Sequence, residues 1–220
     1  MIQIKNLYLK FIKEYYALYN INLSVNAGDV VELIGSENSG RTTLLRTIAK
    51  LEKFDKGEIY LRDINIKKVN FKDDISLGYL PSKPILLENE SVYENLKYIL
   101  KNRRYTEKEI EDKIDDALEN FNLSLLKQTP AKDLSLFQKY MVSFARLSLR
   151  ELDIALVDNL LENITDEKEI EIIKELIFQM FVKKGVTTLL VANEKQTYQN
   201  IANKFVYFNN GAIDKIEEAK

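Results

Sequence analysis

The chain lacks the two residue types that most often carry thiol and acid–base chemistry. Its 220 residues include no cysteine and no histidine. The absence of cysteine excludes disulfides and thiolate chemistry and agrees with a reducing compartment such as the cytosol. The absence of histidine removes the usual general base, the usual switch near neutral pH and the commonest metal ligand.

Charge of one sign and long apolar runs are also scarce. The 32 basic and 34 acidic residues nearly cancel, so we expect no nucleic-acid partner. No apolar run approaches the ~20 residues of a membrane span, and the first residues resemble a strand more than a signal peptide. We therefore expect a cytoplasmic protein that is peripheral on the inner face of a membrane through a partner.

Glycine and proline are few, and no linker separates two domains. Only 7 glycines and 3 prolines interrupt the chain. Strand and helix patterns alternate at both ends, which predicts an α/β fold with a mostly parallel sheet. The predicted single domain has a core at 1–81 and 151–220, with an antiparallel β part near the N-terminus. A helical subdomain is inserted at about 82–150.

Hydrophobic periodicity places the individual elements within this frame. The predicted strands are 1–7, 18–25, 30–35, 58–61, 75–80, 154–157 and 187–191, with a last pair around Asn210 and Gly211. The predicted helices are 42–51, one that follows a capping box at Ser91, one from Thr106 to Phe121, and 167–183.

A candidate phosphate loop follows the third predicted strand. Residues 35–42 read G-S-E-N-S-G-R-T, which has the spacing G-x-x-x-x-G-[K/R]-[S/T] between an apolar strand and a helix. Backbone N–H groups and the helix N-terminus would surround phosphates there, and a threonine hydroxyl would bind Mg²⁺. The candidate nucleotide-binding residues of this loop are Gly35, Asn38, Ser39, Gly40, Arg41, Thr42 and Thr43.

Three residues depart from the usual loop. Arg41 replaces lysine and keeps the charge on a planar fork, which differs in shape from an ammonium. Asn38 stands where a third glycine is common, and asparagine tolerates positive φ. Glu37 adds a negative charge near the phosphates. A plain glycine-bounded turn, or a loop without useful nucleotide affinity, remain alternatives.

Further segments, in order along nearly the whole chain, resemble the ATP-binding cassette (ABC) family. Residues 134–139 read L-S-L-F-Q-K at the place of the L-S-G-G-Q signature, and 142–146 read V-S-F-A-R. Residues 154–158 read I-A-L-V-D, similar to the Walker B strand, and 205–211 are similar to the closing strand and turn. Phe11 lies where the family stacks an aromatic ring on adenine.

The resemblance implies a set of binding roles. Thr42 and Asp158 would hold the Mg²⁺ that accompanies ATP. Ser135 and Gln138 of the signature would contact a nucleotide held by a second subunit. The resemblance also implies a head-to-tail dimer and an integral membrane permease that docks on it.

The positions that carry catalysis in the family have other residues here. Asn159 follows Asp158 where the family has its catalytic glutamate, and a neutral amide cannot accept the proton of the attacking water. Asn193 occupies the place of the switch histidine, and Ser82 that of the Q-loop glutamine. Leu136 and Phe137 replace both signature glycines. These replacements predict weak or absent ATP hydrolysis.

Several of these residues have a plainer interpretation. Phe11 could be an ordinary surface or core aromatic, and Asp158 could cap a strand-end turn. Ser135 could serve only as a helix N-cap. The pair Tyr15 and Tyr16 is expected to pack on the sheet. Glu162, four residues past Asp158, is expected to lie in the wrong place to replace the missing carboxylate.

The resulting hypothesis is a degenerate ABC-type subunit that binds Mg-ATP weakly or moderately. It would couple binding to a permease with little or no hydrolysis, as a homodimer or as a heterodimer with an intact ABC ATPase. A slow but genuine transporter ATPase and a nucleotide-independent scaffold are the alternatives. Fold alone does not decide among them.

Overall fold

The computed structural model describes residues 1–12, 15–71, 73–101, 105–192 and 197–219. The chain divides into two compact units. The first, the core unit, contains 1–82, 152–162 and 172–220, and the second, the helical unit, contains 83–151 and 163–171. None of the helices in the described ranges is long and apolar enough to cross a membrane.

A six-stranded sheet forms the centre of the core unit. Its strand order is β10-β9-β3-β8-β7-β6, with all neighbours parallel except the antiparallel pair of β9 and β10. The strands are β3 (Val30–Ile34), β6 (Leu77–Leu80), β7 (Ile154–Asp158), β8 (Thr187–Ala192), β9 (Lys204–Asn209) and β10 (Ala212–Glu218). Every residue of β3, β7 and β8 is buried, as expected for strands covered on both faces.

A second, antiparallel sheet of four strands lies in the same unit. Its order is β2-β1-β4-β5, built from β1 (Ile2–Ile12), β2 (Tyr15–Val25), β4 (Lys56–Leu61) and β5 (Ile64–Asn65). The predicted strands 1–7 and 18–25 were too short. Asn6 takes a φ of 46°, and register shifts follow it in β1, so the alternation that indicates a strand is lost although pairing continues.

The first helix, α1 (Arg41–Ile48), begins directly after the phosphate loop and packs Leu44, Leu45 and Ile48 into the core. The predicted helix at 42–51 was too long at its end. Lys50 takes a φ of 60°, which no residue inside a right-handed helix can have, so the helix stops before it.

The helical unit contains α2 (Val92–Leu100), α3 (Glu107–Asn120) and α4 (Leu136–Ser148). Thr106 and Ser135 each form a complete capping box, and Ser91 caps α2 through the backbone N–H of Glu94. The capping signals in the sequence therefore predicted these starts correctly. A further helix, α5 (Glu167–Ile177), continues into a π-helical turn at Phe178–Val182, which matches the predicted helix at 167–183.

Candidate functional site

The phosphate loop joins β3 to α1, and its backbone needs the residues that the sequence provides. Asn38 has a φ of 60° and Gly40 a φ of 103°. A Cβ on Gly35 would lie 2.5 Å from the carbonyl oxygen of Phe208, and one on Gly40 would lie 2.5 Å from that of Ala17. Close backbone contacts thus leave no room for a side chain at Gly35 or Gly40. Asn38 takes its positive φ with less strain than most other residues would have there.

Arg41 is folded into the loop and is only 5% exposed. Its Nε donates to Ser39 Oγ at 3.0 Å, and its Nη2 donates to the carbonyl oxygen of Ser36 at 2.8 Å. Its Nη1 donates to the carbonyl oxygen of Ala192 at the end of β8. The guanidinium therefore binds atoms of the loop itself and of the neighbouring strand.

Charges around Arg41 partly offset the cost of burying it. Burial lowers the pKa of the guanidinium, while the negative charges of Asp158, Glu162 and Glu37 raise that pKa again, in this order of size. Arginine stays protonated under such a shift because its ordinary pKa is far above neutrality. The loop thus contains a fixed positive charge with carboxylates around it.

Asp158, at the end of β7, meets the phosphate loop through its carboxylate. Thr42 Oγ1 donates to Asp158 Oδ1 at 2.7 Å, and the hydroxyl of Tyr79 in β6 donates to Oδ2 at 2.9 Å. Burial and the charge of Asp158 raise the pKa of Tyr79, so the phenol stays a donor. A hydroxyl and a carboxylate side by side are the oxygen ligands that Mg²⁺ prefers, so the residues present fit that ion.

Asn159 directly follows Asp158 and has a φ of 50°. Its Nδ2 donates to Glu162 Oε2 at 2.8 Å. A short 3₁₀ helix at Leu160–Asn163 brings the two side chains together, because residues three apart share one face of such a helix. Glu162 was expected to lie in the wrong place to replace a missing carboxylate; in the structure its own carboxylate contacts Asn159, the residue that the resemblance places at the catalytic position.

Two other residues, Ser82 and Asn193, were placed at catalytic positions by the resemblance alone. Ser82 follows β6 in the core unit and is half-buried. Asn193 lies outside the described residues. Thr43 lies in the first turn of α1, where its carbonyl oxygen accepts from the Thr47 hydroxyl at 2.7 Å.

The signature segment begins α4 in the helical unit. Ser135 Oγ accepts from the backbone N–H of Gln138 at 3.2 Å, and Gln138 Oε1 accepts from that of Ser135 at 2.9 Å. Both side chains therefore act as helix caps in this structure. Leu136, which the resemblance places at a signature-glycine position, is 39% exposed.

Tyr15 is the residue near the loop that sequence reasoning missed. Its hydroxyl donates to the carbonyl oxygen of Asn38 at 3.4 Å, so it contacts the phosphate loop as well as pairing in the sheet. Tyr16 does pack on the sheet, edge to face with Tyr8 and Tyr19. Phe11 lies near the same end of the hairpin and is 57% exposed. Because Phe11 was already a candidate contact for adenine, the position of Tyr15 at the same end of the hairpin could have indicated that Tyr15 also lies near the nucleotide site.

Comparison with known sequences identifies one family and many relatives. A family model described as "ABC transporter" matches residues 18–162. The chain is 29% identical over 215 residues, 98% of its length, to the sulfate/thiosulfate import ATP-binding protein CysA of Mesostigma viride, of which it covers 61%. It is 28% identical over 204 residues, 92% of its length, to the spermidine/putrescine import ATP-binding protein PotA of Legionella pneumophila (strain Paris), of which it covers 55%. The chain thus spans less than two thirds of these relatives.

Solved structures share the fold along the whole chain. A dimeric post-hydrolysis state of the ATP-binding cassette MJ0796, bound to ADP and Pi, has a TM-score of 0.87 at 23% identity, covering 100% of this chain and 99% of that one. The CbiO1 structure from Clostridium perfringens, part of the ABC transporter complex CbiONQ, has a TM-score of 0.82 at 21% identity, with coverages of 99% and 88%. The predicted P-loop α/β class is confirmed.

Proposed function

Because the chain belongs to the ABC transporter family, we propose that it is an ATP-binding subunit that couples nucleotide binding to transport with little or no hydrolysis. The observation that carries this proposal is a contrast between neighbouring residues. Thr42 and Asp158 are in hydrogen-bond contact beside the phosphate loop, whereas Asn159 provides an amide where the family has a carboxylate. The binding part of the site is retained, and the part that would accept a proton is absent.

The binding part involves the residues between β3 and α1. The backbone N–H groups of the loop and the N-terminus of α1 would hold phosphates, and Thr42 with Asp158 would hold Mg²⁺. The ion would neutralise part of the phosphate charge. Tyr79 keeps the carboxylate of Asp158 in place through its hydroxyl. Phe11 and Tyr15 are the aromatic candidates for the adenine ring.

Arg41 supports the proposal of weak or moderate affinity. In this structure its guanidinium donates to the carbonyl oxygen of Ser36 and to Ser39 Oγ, both within the loop. A phosphate that binds the guanidinium of Arg41 has to compete with the hydrogen bonds to Ser36 and Ser39. Hydrogen bonds of charged groups contribute about 1.5–3 kcal/mol each, so the exchange offsets part of what the new ion pair contributes.

The low hydrolysis follows from the groups around the attacking water. Asn159 cannot take up a proton, and Ser82 is shorter than the glutamine it replaces. Positioning and electrostatic stabilisation are nearly all that a protein supplies to phosphoryl transfer. Loss of several such groups lowers the rate by orders of magnitude, although their effects do not add.

The partners follow from the family and from the names of the relatives. Several relatives are import ATP-binding proteins, for sulfate, for sn-glycerol 3-phosphate and for polyamines. We propose that the core and helical units form one nucleotide-binding domain that works with an integral membrane permease in an import system. The domain would pair head to tail, with its own copy or with an intact ABC ATPase, at the cytoplasmic face.

A slow but genuine ATPase is the second candidate, and the contact between Asn159 and Glu162 favours it. In that case phosphate release would be slow but measurable, and Asp158→Ala would abolish it.

One experiment, carried out on the wild-type chain and on Asn159→Glu, tests the proposal. The purified chain is incubated with radiolabelled ATP and Mg²⁺, and bound nucleotide and released phosphate are both measured. The expected result is bound ATP recovered largely intact, with phosphate release raised at least tenfold by Asn159→Glu. Rapid release by the unmodified chain would contradict the proposal. Absence of bound ATP would instead support a nucleotide-independent scaffold.

A further inference from the structure

The contact between Asn159 and Glu162 fixes which end of the Asn159 amide faces away from Glu162. A carboxylate can only accept hydrogen bonds, so the NH₂ group of Asn159 has to face Glu162 Oε2, 2.8 Å away. The carbonyl oxygen Oδ1 is then the other end of the amide. Within the part of the chain that the structure describes, Asn159 Oδ1 has no hydrogen-bond partner. Without Glu162, the oxygen and the NH₂ group of the Asn159 amide could exchange places, because the two groups are nearly the same in size.

The pair lies beside the residues that would hold Mg-ATP. Asn159 is covalently next to Asp158, whose carboxylate accepts from Thr42 of the phosphate loop. The negative charge of Glu162 also acts on Arg41 inside that loop. Asn159 Oδ1 is thus an acceptor on the residue that, by the resemblance, occupies the position from which the family positions its attacking water.

An amide at such a position can orient water even though it cannot take a proton. Some P-loop GTPases use a glutamine side chain to orient their attacking water. We propose that Glu162 is a positioning residue that holds Asn159 with Oδ1 available to the attacking water, and that this pair organises the residual ATP hydrolysis. The inference rests on the proposed binding of Mg-ATP.

The chemistry balances without a new co-reactant. The water oxygen forms a bond to the γ-phosphorus, and the bond from that phosphorus to the β–γ bridging oxygen breaks. ADP leaves with the electron pair of that bond. One proton of the water stays on the released phosphate and the other goes to solvent. Neither Asn159 nor Glu162 changes its protonation in the products, which agrees with a slow reaction that lacks a general base.

The test replaces Glu162 by glutamine, which is nearly isosteric but can donate as well as accept. Glu162 is exposed, so the substitution leaves the core intact. A matched control is Glu175→Gln, because the exposed Glu175 accepts from Gln179 Nε2 at 2.7 Å, far from the phosphate loop in sequence. Glu162→Asp keeps a group that only accepts.

The expected result separates orientation from binding. Glu162→Gln should lower kcat by about tenfold, the effect of one hydrogen bond in the transition state, without weakening the binding of Mg-ATP, because the substitution removes a negative charge near the phosphate loop. Glu162→Asp should recover part of kcat, and Glu175→Gln should leave it unaltered. A second readout needs no turnover. In nucleotide-free protein labelled with ¹⁵N-asparagine, Glu162→Gln should shift the side-chain amide signal of Asn159, and Glu175→Gln should not.

The results that would overturn the inference differ from the result that would contradict the proposed function. An unchanged kcat in Glu162→Gln, or an equal fall in Glu175→Gln, overturns the inference. So does a wild-type protein that binds Mg-ATP but releases no phosphate above the level of Asp158→Ala. A wild-type protein that does not bind Mg-ATP contradicts the proposed function itself, and the inference with it.

Discussion

Replacing Glu32 by glutamine should change how the stability of the protein depends on pH. Glu32 lies in β3, just before the phosphate loop, and its side chain is fully buried. Its Oε1 accepts from the backbone N–H of Tyr198 at 3.3 Å, and Oε2 has no hydrogen-bond partner among the described residues. Burial raises the pKa of Glu32 to about 7 from an ordinary 4.5, and the bond from Tyr198 offsets only part of that rise.

The size and sign of the effect follow from this pKa. Below pH 4.5 the carboxyl is neutral in both the folded and the unfolded chain. Between 4.5 and about 7 the unfolded chain loses the proton while the folded chain keeps it, so the free energy of unfolding decreases as pH rises. The difference in pKa corresponds to roughly 3 kcal/mol, which is reached above pH 7.

Glutamine has the same shape and no charge at any pH, so Glu32→Gln removes this dependence. Relative to wild type, the melting temperature of the variant should rise between pH 4.5 and pH 8 by roughly 6–12 °C, given 2–4 °C per kcal/mol for a chain of this size. The new NH₂ group changes the melting temperature by an amount that does not vary with pH. The quantity to compare is therefore the slope of the melting temperature against pH.

The assay is thermal unfolding of both proteins at half-unit intervals of pH. Other titrating groups are common to both proteins and cancel in the difference. Glu58→Gln is the control, because Glu58 lies exposed on β4 and its variant should follow the wild-type curve. Parallel curves for wild type and Glu32→Gln would refute the reasoning that Glu32 is buried and neutral below pH 7.

Two further substitutions test the loop and the helical unit. Gly35→Ala places a Cβ 2.5 Å from the Phe208 carbonyl oxygen. Gly35→Ala should destabilise the chain by about 1–3 kcal/mol and weaken ATP binding. Gly185→Ala is the control, because a Cβ on Gly185 would have no atom within 4 Å. It should cost only about 1 kcal/mol of backbone strain and leave ATP binding unaltered. Asn95→Ala removes the hydrogen bonds that the fully buried Asn95 side chain makes to the N–H and carbonyl of Leu87, and it should cost about 3 kcal/mol in denaturant unfolding; a cost below about 1 kcal/mol would contradict this.

The sequence predicted those parts of the fold that short motifs determine. The glycine spacing and Asn38 located the phosphate loop, and the serine and threonine caps located the helix starts, because these features depend on residues within one turn of each other. The bulge at Asn6 and the early end of α1 at Lys50 were not predictable from periodicity. Both depend on single residues with positive φ, where periodic patterns carry no information.

Contacts between distant residues were the least predictable part of the site. The approach of Tyr15 to Asn38 joins a strand end to a loop 23 residues later. The full burial of Glu32 runs against the strong preference of carboxylates for the surface. The contact between Asn159 and Glu162 depends on a short 3₁₀ helix that the sequence pattern did not predict.

The central claim is that the chain retains a nucleotide-binding site, and its melting temperature with and without Mg-ATP tests this most directly. A ligand at ~100 times its dissociation constant stabilises the folded state by about 2.7 kcal/mol, which should raise the midpoint by roughly 5–10 °C. The account predicts such a rise in the wild type and its loss in Arg41→Ala, whose buried guanidinium lies within the loop. No rise at millimolar Mg-ATP would contradict nucleotide binding by this chain.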